Sequence, residues 1–363
     1  MAFNTESDVV DYLLDKNLIS PAHIVLGHLA VTEVSRRHRN YRVAFDSDRG
    51  FLLKQGVDPV RGAKIIHEAR VIDWLNRRVE LAASIPLLVA LDEPEQTAIH
   101  ELIADAINLH HYHLSREHFS VTLAAAVGKT LAKLHNLPGS IAEYRHAADL
   151  PWVLSLHTPS LSFYRECSHA NHELIKIIQQ TLECCERLDS LRNSWQASAL
   201  THGDIKWENF LARPAPGASR YTRIMMIDWE LAGAGDACWD IGAFFSEYLA
   251  LWVLSIPLAE EIPTVSSLAM ARFPLEKMAP AITAFWNNYL TTAKLKGTTA
   301  QDLLLKSVRF SGARLLQKAF EQLQESADLT ASSESLLQLG VNVLSRPEEA
   351  AVHLLGIQQL EIS

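Results

Sequence analysis

The sequence predicts an α+β fold in two lobes. A small antiparallel β-rich lobe with one long helix takes residues 1–103, and a larger, mostly helical lobe takes residues 104–363. Three observations lead there. Strand-like segments come first and helices after, the order of an α+β chain rather than of an alternating, doubly wound sheet. After Ile103 the texture changes to small and apolar residues at helical spacing. A chain of 363 residues also exceeds what one compact core usually holds.

The elements follow in order. "SDVVDYLLDKNLIS" reads as a short amphipathic helix, capped by Ser7, with Val9, Val10, Leu13 and Leu14 on one side. "HIVLGHLAVTEVS" and "NYRVAFDS" are rich in β-branched and aromatic residues and read as strands. "RGFLLKQG" adds a third after an Asp-Ser-Asp-Arg-Gly turn, giving an antiparallel meander. "VRGAKIIHEARVIDWLNRRV" is helical, with Ile65, Ile66, Ala69, Ile72, Trp74 and Leu75 on or near one stripe. "IPLLVALDEPEQTAIHELI" is strand, turn, strand. "SVTLAAAVGKTLAKLHNL" and "SHANHELIKIIQQTLECCERLDSLRNSW" are each read as one helix. "THGDIKWENFL" is then a polar loop between apolar pieces, "YTRIMMIDWEL" a strand, and from Asp240 onward almost everything is helical.

Bulk properties exclude several classes. Apolar residues at 48% and charged residues at 21% are ordinary for a soluble globular protein. A net charge of −9 disfavours a general nucleic-acid binder. None of the four cysteines forms a C-x-x-C pair, and adjacent Cys184 and Cys185 are poorly spaced for zinc, so buried or idle thiols in a reducing cytoplasm are expected. Glu6, Asp8, Asp11 and Asp15 give the N-terminal segment the wrong charge for a secretory signal. "FFSEYLALWVLSIPLA" is interrupted by Glu247 and Pro257, so it reads as a buried helix rather than a membrane span.

"HGDIKWEN" carries the chemistry. Asp204, alone on a loop, suits a general base for a hydroxyl nucleophile. Asn209, five residues on, can offer its side-chain oxygen to a hard cation, and Asp228 on the following strand can bind the same ion. Phosphoryl transfer needs these parts, because it rests on positioning and charge neutralisation. Lys54 at a strand end can reach nucleotide phosphates, and Glu68 on the next helix can hold it. The order of strand Lys, helix Glu, loop Asp and Asn, strand Asp matches the kinase signature set.

On these residues the chain resembles the aminoglycoside phosphotransferase and choline kinase-like family, a branch of the protein-kinase-like fold. "HGDIKWEN" corresponds to its H-G-D-x-x-x-x-N loop. "IDWELAGAGDACWDIG" corresponds to its I-D-W-E-x-x-x-x-G-D-x-x-x-D stretch. The resemblance runs from about Ile24 to Leu249, and the last hundred residues match only in being helical. It implies a bilobal kinase-like fold, with residues 1–103 binding nucleotide and residues 104–363 carrying the catalytic loop and the acceptor site. It implies ATP as donor, Asp204 as the catalytic residue and Mg2+ on Asn209 and Asp228. Lys54 would contact the phosphates and pair with Glu68. The segment His100 to Ile103 would be the hinge that binds adenine through its backbone, including Glu101 and Ile103. His202 would orient the loop, and Asp236 and Asp240 would support it or cap the next helix rather than touch substrate. Lys206 sits where Ser/Thr protein kinases carry a lysine that contacts the moving phosphate, the bland alternative being a surface lysine.

One departure concerns the phosphate-binding loop. "VTEVSRRHRNYRV" has no glycine, so Ser35, Asn40, Arg36, Arg37 and Arg39 would bind phosphate through side chains. A degraded nucleotide site, hence a pseudokinase scaffold or regulatory partner, is the competing reading. The acceptor stays open. An aminoglycoside calls for an acidic pocket, and no concentrated acidic cluster appears. Choline calls for an aromatic cage, for which Trp252, Phe285, Trp286 and Tyr289 are candidates. A third option is Ser or Thr of a precursor peptide, since "ISPAHIV", "VTEVSRRHRNYRV", "FLLKQG", "HEARVIDWL" and "ELIADAINLHHYH" look like a bacterial subgroup of stand-alone kinase-like proteins similar to the kinase component of class V lanthipeptide synthetases, which works with a separate lyase. His110, His111 and His113 read as a solvated or helix-starting cluster, and Trp207, Trp229 and Trp239 as packing residues. Neither a nucleic acid nor a membrane is expected as partner.

Overall fold

The computed structural model describes residues 3, 5–34, 39–45, 49–138, 150–215, 217, 220–257 and 270–358. Contacts divide the chain into two compact units, Met1–Leu109 with Glu208–Ala232 and His110–Trp207 with Gly233–Ser363. The sequence break at 103/104 therefore falls a few residues early, and a segment read with the helical lobe belongs with the β-rich unit.

In the first unit, helix α1 (Glu6–Asp15) starts at Thr5, not Ser7. The Thr5 hydroxyl accepts from the Asp8 amide at 3.2 Å while the Asp8 carboxylate accepts from the Thr5 amide at 2.9 Å. That reciprocal pair satisfies two donors at once, which Ser7, already one residue inside the helix, cannot do. The first predicted strand is shorter than expected. Pro21 opens a short helix, α2 (Pro21–Val25), because proline is pre-set for a first helical position. The strand itself is β1 (Ala30–Glu33).

Strands β2 (Arg39–Ala44), β3 (Gly50–Gln55), β4 (Leu88–Asp92) and β5 (Thr97–Glu101) join it in an antiparallel sheet of order β1-β2-β3-β5-β4. Alternation along the strands gives the sheet two apolar faces. Tyr41, Val43, Leu53 and Ile99 pack with Phe3, Val9 and Leu13 of the N-terminal segment. Ala98 packs with Ile65 and Ala69 of helix α3 (Pro59–Asn76). Lys54, neighbour to Leu53 and cross-strand partner of Ala98, is thereby aimed at the α3 side. Strands β6 (Ile107–Asn108), β8 (Phe210–Pro214) and β9 (Tyr221–Met226) form a second antiparallel sheet, which holds Glu208–Ala232 in this unit.

The second unit is helical apart from the short pair β7 (Ala199–Thr201) and β10 (Gly233–Gly235). Its helices include α4 (Leu109–Arg116), α5 (Val121–His135), α6 (Leu161–Arg165), α7 (His169–Gln180) and α8 (Leu182–Asn193). The sequence read α7 and α8 as one helix. They break at Thr181, whose ψ is 83° and whose hydroxyl bonds back to the Ile177 carbonyl, a competitor for the helical ladder. Then come α9 (Ala237–Leu254), α10 (Leu275–Ala293), α11 (Gly297–Gln322) and α12 (Ala331–Ser345). By length and composition α9 alone among the described residues could cross a membrane, yet most of it is buried inside the unit. Phe285, Trp286 and Tyr289 are core residues at 2% exposure or less, so they form no accessible cage. Small residues let the helices close up. A Cβ on Gly128 would stand 2.2 Å from the Phe285 carbonyl oxygen on α10.

Gly128→Ala is expected to destabilise the helical unit by about 1–3 kcal/mol through forced separation of α5 and α10. Urea unfolding followed by circular dichroism checks it, and an unchanged midpoint would contradict the close approach.

Candidate active site

The first unit gathers four of the predicted residues. Lys54 Nζ donates to both oxygens of Glu68, at 2.7 and 2.8 Å. Glu68 Oε1 also accepts from the Trp229 amide at 3.3 Å. Asp228, next to Trp229, has Oδ1 3.9 Å from Lys54 Nζ. Strand pairing brings Asn209 to the same place. The β8–β9 register sets Phe210 opposite Met226, and the Ile227 amide donates to the Asn209 carbonyl at 3.0 Å. Asn209 just before β8 and Asp228 just past β9 therefore lie at one end of a hairpin.

Asp228 has φ +69°, a left-handed conformation that asparagine and aspartate tolerate better than other non-glycine residues and that concentrates at functional sites. Lys64 extends toward Glu230 at 3.7 Å, and His67 bonds the Ala232 carbonyl at 2.8 Å, so α3 is tied to the segment after Asp228 as well.

Electrostatics keep this pair charged. Burial alone would raise Glu68, but the Lys54 ammonium and a nearby His100 outweigh it and hold the carboxyl below the usual range. Burial likewise disfavours a charged Lys54, and Glu68 and Asp228 reverse that, so the ammonium is held above its usual value. His100 is 3% exposed, and both ring nitrogens are buried without a hydrogen-bond partner. Burial pushes its imidazole down to about 4.

Other nucleotide-site expectations fare unevenly. Asn40 is half-buried on β2, directly across from Lys54. Glu101 is exposed at the end of β5, its amide donating to the Leu87 carbonyl, and Ile103 follows outside the strand. Arg39, expected near phosphate, donates Nη1 to the Phe3 carbonyl at 2.6 Å and anchors the N-terminal segment. Ser35, Arg36 and Arg37 lie outside the described residues.

The second unit holds Asp204, Lys206 and His202. Asp204 and Lys206 form an ion pair at 2.6 Å. Burial pushes Asp204 up, while the charges of Lys206 and Arg314 prevail and hold it below the ordinary carboxylate value. The backbone beneath is fixed by Asp240, one turn into α9. Its carboxylate accepts from the His202 amide at 2.7 Å and the Gly203 amide at 3.0 Å, and faces His135 Nε2 at 3.2 Å. His202 is fully buried and its Nδ1 takes the Asp204 amide at 3.3 Å, an orienting contact. Asp236 caps α9 through the Cys238 amide and pairs with Lys306 at 2.6 Å.

Trp239 is more than packing, since its indole N–H donates to the Gly203 carbonyl at 3.1 Å; Trp229 likewise bonds the Met226 carbonyl at 3.0 Å. Trp207 is packed against His113 at 4.6 Å and Tyr248 at 4.8 Å. His113 is therefore a core residue and not part of a solvated cluster. It is 2% exposed, bonded to the His118 carbonyl and lowered by burial to about 4. Sequence reasoning missed Glu247, which accepts from the Trp207 amide at 3.2 Å and pairs with Lys318 at 2.6 Å. Its lone charge in an apolar run was the available signal. His135 and Arg314, also missed, carried none.

A protein-family profile for the phosphotransferase enzyme family matches residues 31–261. The chain belongs to that family. This phosphotransferase is similar in fold to macrolide 2'-phosphotransferase type I, at 15% identity and a TM-score of 0.51 over 93% of this chain and 99% of that one. A choline/ethanolamine kinase family protein from Mesorhizobium loti aligns at 14% identity and a TM-score of 0.47, over 88% of this chain and 89% of that one. No curated protein matches the sequence. The bilobal kinase-like α+β fold expected from the motifs is thus the fold the phosphotransferase has, and it is an enzyme of the phosphoryl-transfer class.

Lys54 is 15% and Glu68 4% exposed, so removing one partner strands a buried charge. Lys54→Met is expected to cost about 3–5 kcal/mol, and adding Glu68→Leu to recover most of it. Urea unfolding of both variants checks this, and a double variant no better than the single would contradict the pairing. Acid should weaken the fold through His100 and His113. Each imidazole takes its proton near 6.5 when unfolded but only at about 4 when folded. Their stability contribution is complete above 6.5 and is lost as pH falls toward 4, on the order of 3 kcal/mol for each. His100→Leu should flatten that acid slope in unfolding measured between pH 7 and 4.5.

Proposed function

We propose that this phosphotransferase moves the γ-phosphoryl group of ATP onto the hydroxyl of a small molecule in the cytoplasm. The observation that carries the reading is the arrangement in the first unit. A lysine clamped by a buried glutamate stands 3.9 Å from a carboxylate that shares a hairpin end with an asparagine. Two oxygen side chains without thiol or imidazole are the donor chemistry that suits Mg2+, which takes one or two protein oxygens and keeps water and phosphate for the rest. Asn209 and Asp228 would hold it, and when bound the ion would neutralise charge on the β- and γ-phosphates.

The residues divide the work. Lys54, fixed by Glu68, meets the α- and β-phosphates. Asp204, held ionised, accepts the proton of the attacking hydroxyl. Lys206 leaves Asp204 and follows charge onto the moving phosphoryl group. Asn209 follows Asp204 by five positions, so proton acceptor and metal ligand are close along the chain. Glu101 and Ile103 would offer backbone groups to adenine, and Ser35 and Asn40 would serve phosphate. The free cysteines accord with a reducing compartment.

Thermal shift with MgATP, followed by mass spectrometry of candidate acceptors, tests the reading. The wild type should be stabilised by MgATP and add phosphate to a hydroxyl-bearing small molecule. Asp204→Asn should keep that stabilisation and lose transfer roughly 100- to 10,000-fold. Asp228→Asn should lose the Mg2+ dependence of ATP binding. Phosphate on a Ser/Thr peptide instead would redirect the acceptor to a precursor peptide with a lyase partner. ATP binding without transfer to any acceptor would favour a scaffold, and no nucleotide stabilisation would sink the proposal.

A further inference from the structure

Arg314, on α11, lies beyond the part of the chain that the family profile matches. It is 5% exposed. Its Nη2 donates to the Ile205 carbonyl at 3.4 Å and its Nη1 to Gln317 Oε1 at 3.0 Å. The guanidinium carbon sits 5.2 Å from the centre of the Trp239 ring, whose own N–H holds the Gly203 carbonyl. Arg314 and Trp239 thus grip the carbonyls on either side of Asp204. Gln317 in turn donates to Glu321, which leaves that acid one step removed. Lys318, one turn on, is taken up by Glu247.

Among the described residues no carboxylate contacts the Arg314 guanidinium, and its Nε is buried without a hydrogen-bond partner. A buried cation with no contact anion is costly unless its charge is used. The groups that act on the Asp204 carboxylate are Lys206, Arg314 and His202. Lys206 is the solvent-side member, its side chain 35% exposed, on the loop itself. Arg314 is the buried one, bonded at both ends of its fork.

We propose that Arg314 is a positioning residue for the transfer reaction, clamping the Asp204 loop at the Ile205 carbonyl and supplying the fixed positive charge that balances Asp204 once Lys206 turns to the phosphoryl group. This rests on the transfer reading above for the second half of its role. The clamp, and the charge that Asp204 feels before Lys206 moves, are properties of the resting protein. A guanidinium suits the task because it stays charged at any working pH and its planar fork can hold a carbonyl and an amide oxygen together. Lys206 alone could not serve both roles, since a single ammonium cannot neutralise the base and follow the phosphate at the same moment.

The test follows the Asp204 carboxyl by 13C NMR through a pH titration of the whole protein, with the resonance assigned through Asp204→Asn. Arg314→Gln should raise the Asp204 midpoint by about one pH unit, and Arg314→Lys should hold it near the wild-type value. In Lys206→Met, with Arg314 intact, the midpoint should stay below that of an ordinary aspartate. The acid limb of phosphoryl transfer should move with the midpoint in Arg314→Gln. An unmoved midpoint in folded Arg314→Gln overturns the proposal. So does a Lys206→Met midpoint at or above the ordinary value, and that variant decides the matter if Arg314→Gln does not fold. Absence of MgATP stabilisation in the wild type, with the titrations as expected, would overturn the transfer reading while supporting the loop clamp.

Discussion

One carboxylate, that of Glu68, organises the candidate residues of the first unit. Glu68 takes both of its strong bonds from Lys54 on β3 and a third from the amide of Trp229. It therefore ties a sheet strand, the long helix α3 and the turn that carries Asp228 into one arrangement. Burying these charges is unfavourable in itself. It is tolerated because each satisfies the other and because the backbone amide takes part of the remaining negative charge. Shift α3 by one residue and Glu68 leaves the lysine, and Asp228 loses the neighbour that fixes its unusual backbone. The two apolar faces of the sheet hold that register.

Asp240 does the corresponding task in the helical unit. It grips the backbone amides of His202 and Gly203 and the His135 ring, and leaves Asp204 paired with Lys206. His135 and Tyr289 continue the chain of contacts behind it, with 2.9 Å between ring nitrogen and phenol. The peptide groups are held by buried partners, while the Asp204 carboxylate pairs with the more exposed Lys206. Preorganisation of this kind lowers the reorganisation needed when charge moves.

Much of this was legible in the sequence because it is local. "HGDIKWEN" and "IDWELAGAGDACWDIG" state donor types and spacings, and a covalent chain of eight or sixteen residues leaves few ways to arrange them. Lys54 and Glu68 were also legible, since the strand and helix that carry them show clear periodicity. Errors arose where a local cue had a stronger competitor nearby. Ser7 could cap a helix, but Thr5 and Asp8 do so reciprocally. Residues 23–29 looked strand-like, but Ser20-Pro21 begins a helix. Thr181 looked like helix interior until its own hydroxyl competed for the turn.

The sequence by itself determined the chemistry set, the order of elements and the α+β class. Those depend on residue types and on periods of two and 3.6 that survive without partners. Only the tertiary structure decided which polar groups are spent on scaffolding and which are left to react. Arg39 went to the N-terminal segment, His113 into a core of aromatic rings, Glu247 and Arg314 to the loop that carries Asp204. Those outcomes depend on which faces meet across 36 to 109 residues of chain, and desolvation then acts on each group's charge. No spacing in the sequence encodes that meeting.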